Sequence, residues 1–186
     1  MKKLLIAIII VLVLVGGWAA TTYNGLVQAE VTVDEQWAQV ETDYQRRADL
    51  VPQLVSTVRG AADFEKTTLE NVTNARTQWL NASSVADKVQ AGDALGSAIA
   101  RLLVTVENYP NIKATENFLV LQSELEGTEN RISVSRKRFN EAVSLYNQMT
   151  RVMPKSLVAK LFGFEAKDFF MAEEGAEEAV EVEFNF

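Results

Sequence analysis

Among its 186 residues the sequence has no cysteine and no histidine. Without cysteine there is no disulfide, no thiolate nucleophile and no thiolate metal site. Without histidine the commonest general base and the commonest metal ligand are both missing. Any catalysis would rest on carboxylates, Lys, Arg, Tyr, Ser or Thr. A Gly-rich phosphate loop and a nucleophile elbow are lacking too. Proline is scarce, at positions 52, 110 and 154 only, so little interrupts a helix. A basic surplus is also lacking. The net charge is −7, but eight of the 25 acids and only one base, Lys167, lie in residues 163–186. The preceding 162 residues carry 17 charges of each sign. Such a body has no electrostatic basis for neutralising phosphates, so no nucleic-acid partner is expected.

What the sequence does have is apolar length. Leu4 to Ala20 carries no charge and follows Lys2 and Lys3. With Thr21, Thr22 and Tyr23 it reaches about 20 residues, enough to cross a bilayer core. Trp18 and Tyr23 would then sit at the far interface. A cleaved signal peptide is the alternative, but Trp18 makes Gly-Gly-Trp-Ala-Ala a poor cleavage site. Residues 1–23 are therefore expected to be a single-pass cell-membrane anchor. The flanking charges, lysines before it and Glu30, Asp34 and Glu35 after it, place the N-terminus in the cytoplasm and the body outside.

From Gly25 the apolar period is helical. Val33, Trp37, Val40, Tyr44, Val51, Leu54 and Val58 step by three, four and seven, and the seam resumes at Leu69, Val72 and Trp79. Because the phase survives across Pro52, one long kinked helix is expected there, with Gly60 a second weak point. Asn81-Ala82-Ser83-Ser84 reads as a connection. Ala86 to Glu107 reads as a shorter helix whose start Gly92 and Gly96 weaken. Asn108-Tyr109-Pro110-Asn111 is a turn. The longest helix follows, its seam made by Phe118, Leu121, Leu125, Ile132, Phe139, Val143, Tyr146 and Met153, and it should stop near Pro154. Leu157 to Phe162 forms a short helix ending at Gly163. The fold class is thus all-α: an N-terminal transmembrane helix, then an elongated antiparallel bundle of three to four long helices spanning residues 24–164.

Some seam slots hold charge instead of carbon. Glu129 and Arg136 fall among Leu125, Ile132 and Phe139; Arg47 falls between Tyr44 and Val51; Glu65 and Arg76 fall on the continuation. An unpaired buried charge costs several kcal/mol, so these five are expected to pair with one another in a buried polar layer that fixes register. Carboxylates in a bundle core can also hold paired metals, but that arrangement needs Glu-x-x-His, and Glu124, Glu126 and Glu129 share no tight face. No catalytic, cofactor or metal residue is assigned.

Several of these residues together resemble a known family. The run Glu107-Asn108-Tyr109-Pro110, then Lys113-Ala114, Asn117-Phe118, Leu121-Gln122, Leu125-Glu126, Thr128-Glu129-Asn130, Arg136, Asn140 and Tyr146-Asn147 is similar to the central motif of the LemA family. Trp37, Arg47, Asp49-Leu50, Pro52, Leu54-Val55, Glu65 and Ala75-Arg76 resemble its first helix, and Phe162-Gly163-Phe164 its C-terminal signature. The likeness covers residues 23 to about 164 and leaves out the acidic tail. It implies one membrane span followed by an antiparallel bundle, with roles in membrane and envelope processes, and implies no reaction.

Residues 165–186 read as an acidic, disordered tail. Its end alternates, so Val180, Val182, Phe184 and Phe186 would share one face and could add as a strand to a partner's sheet edge. The expected function is a membrane-tethered scaffold or adaptor with protein partners. The alternatives are a carrier of lipid or a small apolar ligand around Trp37, Trp79 and Phe118, and a hydrolase using Glu65 and Glu129.

Overall fold

The computed structural model describes residues 2–60 and 64–170, and every regular element in them is a helix. The order is α1 (Lys2–Arg59), α2 (Lys66–Asn81), α3 (Val85–Val106), the single turn α4 (Pro110–Lys113), α5 (Glu116–Arg151) and α6 (Lys155–Phe162). The sequence expectation of an all-α chain with a long apolar N-terminal helix is met.

The helix ends follow local chemistry. Ser84 caps α3 by accepting the Asp87 amide at 3.0 Å. Thr115 caps α5 by accepting the Phe118 amide at 3.4 Å, with Glu116 in the first turn where the helix dipole favours an anion. Gly163, at φ +78°, closes α6 in the left-handed conformation that a side chain would disfavour, and the Phe164 amide bonds back to Ala159 at 2.9 Å.

Two boundaries differ from the sequence expectation. α1 passes through Pro52 as expected, but it also runs unbroken through residue 25, so no break separates the apolar N-terminal run from the bundle seam. At ~1.5 Å per residue it is about 87 Å long, a single rod shared by both regions. Its break comes at Gly60 instead, so the seam of Leu69, Val72 and Trp79 belongs to a separate helix.

α1 and α5 run antiparallel in extended contact, with Arg46 beside Glu124 near one end and Gly25 beside Met149 near the other. The α2–α3 hairpin covers one end of this pair, down to about Glu41, which pairs with Lys88. Phe64 and Tyr109 pack their rings in a tilted arrangement, 4.9 Å between centroids, at that end. Val40, Tyr44, Val51, Leu54 and Val58 meet Phe118, Leu125, Ile132, Phe139 and Val143, with Trp79, Leu95 and Leu102 completing the core. Each such side chain contributes about 1.5–3 kcal/mol on burial. Met153, expected on the seam, is 64% exposed because α5 has already ended at Arg151. α3 is long and apolar enough to cross a membrane, yet it lies in the bundle with Leu95, Ile99, Leu102 and Val106 buried.

The two α3 glycines prove to be packing slots. A Cβ at Gly92 would stand 2.4 Å from the Tyr44 ring, and one at Gly96 3.0 Å from the Arg47 guanidinium. Their bareness lets α3 lie directly on these two large side chains of α1. Gly92→Ala is therefore expected to lower stability by about 1–3 kcal/mol through overpacking, against the helix propensity it gains. Gly127→Ala on α5, where a Cβ would meet Arg131 at an ordinary 3.6 Å, should be neutral or stabilising. Thermal melts of the two full-length variants in detergent, followed by circular dichroism, check the contrast.

Candidate functional site

The five charged seam residues do not form one mutually paired layer. Arg47 is buried and bonds Glu129, whose side chain is 69% exposed, while its Nε lies 3.5 Å from Thr128. Glu65 is exposed and accepts from Thr68 at 3.1 Å, outside any buried layer. Arg136 finds its acid not among the other four but at Asp93 of α3. The sequence reading missed Asp93 because it lies beside the α3 seam and not on it.

Arg76 pairs with no acid among the described residues. Its Nε donates at 2.8 Å to the backbone carbonyl of Ala48. That carbonyl is the one whose normal helical partner would be the amide four residues on, and residue 52 is proline. The guanidinium of α2 thus replaces the missing bond of α1. This is why the helix passes through Pro52, and why the expected acid partner is absent. Arg76→Met should cost about 1–3 kcal/mol by orphaning the carbonyl. In a Pro52→Ala background, where an amide is restored, the same change should cost clearly less. Denaturant unfolding of the four proteins measures the coupling; equal costs in both backgrounds would refute it.

Arg136, Asp93 and Tyr44 join three helices. The Arg136 guanidinium donates to both the Asp93 carboxylate and the Tyr44 hydroxyl, and Tyr44 donates to Asp93 at 3.1 Å. Burial, foremost, holds the Tyr44 phenol well above the usual tyrosine range; Arg136 works against this and Asp93 adds to it. The phenol therefore remains a neutral donor. Burial works against the Arg136 charge, but Tyr44 and Asp93 outweigh it and raise its pKa.

Beyond the hairpin, toward the anchor, the α1–α5 pair is covered by a strap of residues 164–170. Two asparagines one heptad apart on α5 hold it. Asn147 donates to the Lys167 carbonyl at 2.8 Å and accepts its amide at 2.9 Å; Asn140 does the same for Phe170 at 3.0 and 2.8 Å. Every third residue, Phe164, Lys167 and Phe170, turns inward. Phe170 packs between Trp37 and Phe139, with ring centroids 5.8 and 5.2 Å away. Lys167 pairs with Glu30 and Asp34; burial opposes its charge, but these two acids hold its pKa above the usual lysine value.

Strap, α1 and the start of α3 enclose an open cleft of about 1040 Å³. Trp37, Val85, Val89, Phe139 and Phe170 give it apolar walls, and its polar edges are Asp168, Asp34 paired with Lys167, and Asp93 paired with Arg136. Of the three aromatics expected around an apolar ligand, only Trp37 lines it, since Trp79 and Phe118 are buried in the core. Among the described residues no cluster of three or more acids could hold a metal. Val180, Val182, Phe184 and Phe186 lie outside the described residues.

Replacing both asparagines with leucine should detach the strap and leave the helices in place. Hydrogen exchange would then accelerate at the Lys167 and Phe170 amides by about tenfold or more, with α5 amides unchanged.

A family model described as LemA family matches residues 36–184, from inside α1 into the acidic tail. Magnetosome proteins MamQ 1 and MamQ 2 of Paramagnetospirillum magneticum (strain ATCC 700264 / AMB-1) are each 24% identical over 174 aligned residues, covering 80% of this chain and 64% of theirs. Magnetosome protein MamQ of Magnetospirillum gryphiswaldense is 29% identical over 80 residues, covering 43% of this chain and 29% of its own. The chain thus spans less than two thirds of the length of these curated relatives.

Proposed function

The chain belongs to the LemA family, and from that premise we propose that it is a non-enzymatic, membrane-tethered scaffold or adaptor in membrane or envelope organisation. The observation that carries this reading is the continuity of α1. Residues 4–15 expose their large apolar side chains to no protein neighbour, whereas Val33 to Val58 of the same helix are the spine of the bundle. A rod rooted in lipid and packed along α5 holds the bundle at a fixed height and tilt, which is what a presenting platform requires. The lysines before the span and the acids after it support an N-terminus in the cytoplasm and a bundle on the other side. Relatives named as magnetosome proteins agree with work at a membrane.

The partner surface in this reading is the cleft beside the strap. Its apolar walls fit a protein segment with large apolar residues, and Asp168, the lining acid not already paired with Lys167 or Arg136, favours a lysine or arginine beside them. A carrier of a small apolar ligand is the second reading, favoured by the volume of the same cleft. A carboxylate hydrolase has less support, because Glu65 and Glu129 are each engaged elsewhere, with Thr68 and Arg47.

The full chain should stay with vesicles through carbonate washing, while a form lacking residues 1–24 is released. A photo-crosslinking residue at Val89 should then give a protein adduct of discrete mass from native membranes, diminished by the competing change Asp168→Lys on the exposed edge of the cleft. Adducts to lipid alone would favour the carrier, and release of the full chain by carbonate would end the tethering reading.

A further inference from the structure

We propose that α6 is a second membrane contact, an interfacial helix seated in the headgroup layer of the leaflet from which α1 emerges. The proposal rests on the reading of residues 4–23 as a bilayer span. Val158 and Ala159 of α6 pack on Leu26, with Ala19 at the edge of the same small cluster. Tyr23 places its ring 4.9 Å from that of Phe162 and 5.6 Å from that of Phe164. α6 is therefore fixed against the stretch of α1 that immediately follows the apolar run.

The height follows from helix geometry. Residues 4–23 rise about 30 Å, the thickness of the hydrocarbon core, and the next two turns fall within the headgroup layer. That layer is where α6 lies.

Its outer surface has the chemistry of that layer. Leu157, Leu161 and Phe162 are exposed, Leu161 by 79%, and Val152 and Met153 on the link from α5 are exposed as well. Leu157 and Leu161, one turn apart on α6, share an exposed apolar face, and Phe162 beside them stays half exposed although its ring meets Tyr23. A soluble domain seldom leaves so many large apolar side chains bare within the eleven residues 152–162. Basic residues flank the face: Arg151 ends α5, and Lys155 and Lys160 lie on α6 itself. An apolar stripe with lysines beside it is the pattern of a helix lying in the membrane plane, with the amines at the level of anionic phosphates. Tyr23 sits at the lower boundary of that layer, where amphipathic rings are favoured, with exposed Trp18 about 7.5 Å deeper.

If α6 is seated this way, the bundle is held at two points. One rod can turn about its own axis in the bilayer, but a second contact offset from it cannot follow without leaving the lipid. The orientation of the strap and cleft relative to the membrane plane is then fixed as well as their height.

The chain's lack of cysteine makes the test direct. Single cysteines at Leu161, Leu12 and Val104, all exposed positions, are labelled with an environment-sensitive fluorophore in the full-length protein. The protein is reconstituted into phosphatidylcholine–phosphatidylglycerol vesicles carrying nitroxide lipids. The label at Leu161→Cys should lose about half its emission to nitroxides near the headgroup, and that at Leu12→Cys a similar share to nitroxides deep in the acyl chains, with Val104→Cys almost unaffected. Quenching at 12 without quenching at 161 overturns the proposal and leaves the span standing. Quenching at neither overturns both. Equal quenching at 161 and 104 also overturns it, because the whole bundle would then be lying on the surface.

Discussion

One helix carries two kinds of surface. The first 22 residues or so of α1 leave their apolar side chains bare and have the length and hydropathy of a bilayer span, and the remainder packs against protein. Since the helix is unbroken around residue 23, its backbone bonds within itself there and no polar group is stranded where the side-chain pattern changes. A helix can therefore pass from one medium to the other without a joint. The rest of the fold answers the needs of this rod. α5 is long enough to cover its seam over most of the non-membrane part, and α2, α3, strap and α6 in turn cover what α1 and α5 together leave bare. Loss of the α1–α5 contact would leave the other elements with nothing to pack on.

Keeping so long a rod intact requires local repairs, and each comes from another helix. Pro52 removes one backbone bond, and Arg76 of α2 restores it at the Ala48 carbonyl. Tyr44 is too bulky for a helix to cross closely, and α3 is bare at Gly92 where it crosses. Arg136 brings a charge to the seam, and Asp93 of α3 neutralises it. The tertiary contacts are thus matched to particular irregularities of α1 and α5. That matching fixes register more sharply than an apolar stripe alone, which tolerates sliding by a turn.

The difference between what was legible in the sequence and what was not has the same origin. Periodicity reports which face of a segment avoids water, so the seams of Val33–Val58 and Phe118–Tyr146 could be read directly, as could the stops at Ser84 and Gly163. It does not report what lies opposite. Arg76 was visible as a charge on a seam, but a backbone carbonyl has no letter in the sequence to mark it as the partner. Gly92 was visible as a poor helix former, while the ring that requires it lies 48 positions away. The continuity of α1 was hidden because an apolar run and an amphipathic run have different patterns although they are one helix. The strap was hidden for a simpler reason. Seven residues with every third one inward match neither the helical nor the strand period, and the asparagines that hold it look like ordinary surface residues of α5.

The strap also explains why α2 and α3 can be short. A four-helix bundle buries its seams with helices of equal length, and here the hairpin stops about halfway along the α1–α5 pair. A third long helix over the lower half would have to bring its own polar face down beside the apolar run of α1. Seven residues covering only the centre of the groove avoid this. Because a strap exposes its own backbone, that backbone needs partners, and the two-way bonds from Asn140 and Asn147 supply them at a spacing of one heptad, which returns the two amides to the same face of α5. A strap is narrower than a helix pair, so space remains between it and the start of α3. The cleft therefore follows from substituting a strap for two helical turns on each side. Its position, at the boundary between the helical and the strapped halves of the same seam, is set by where the hairpin ends.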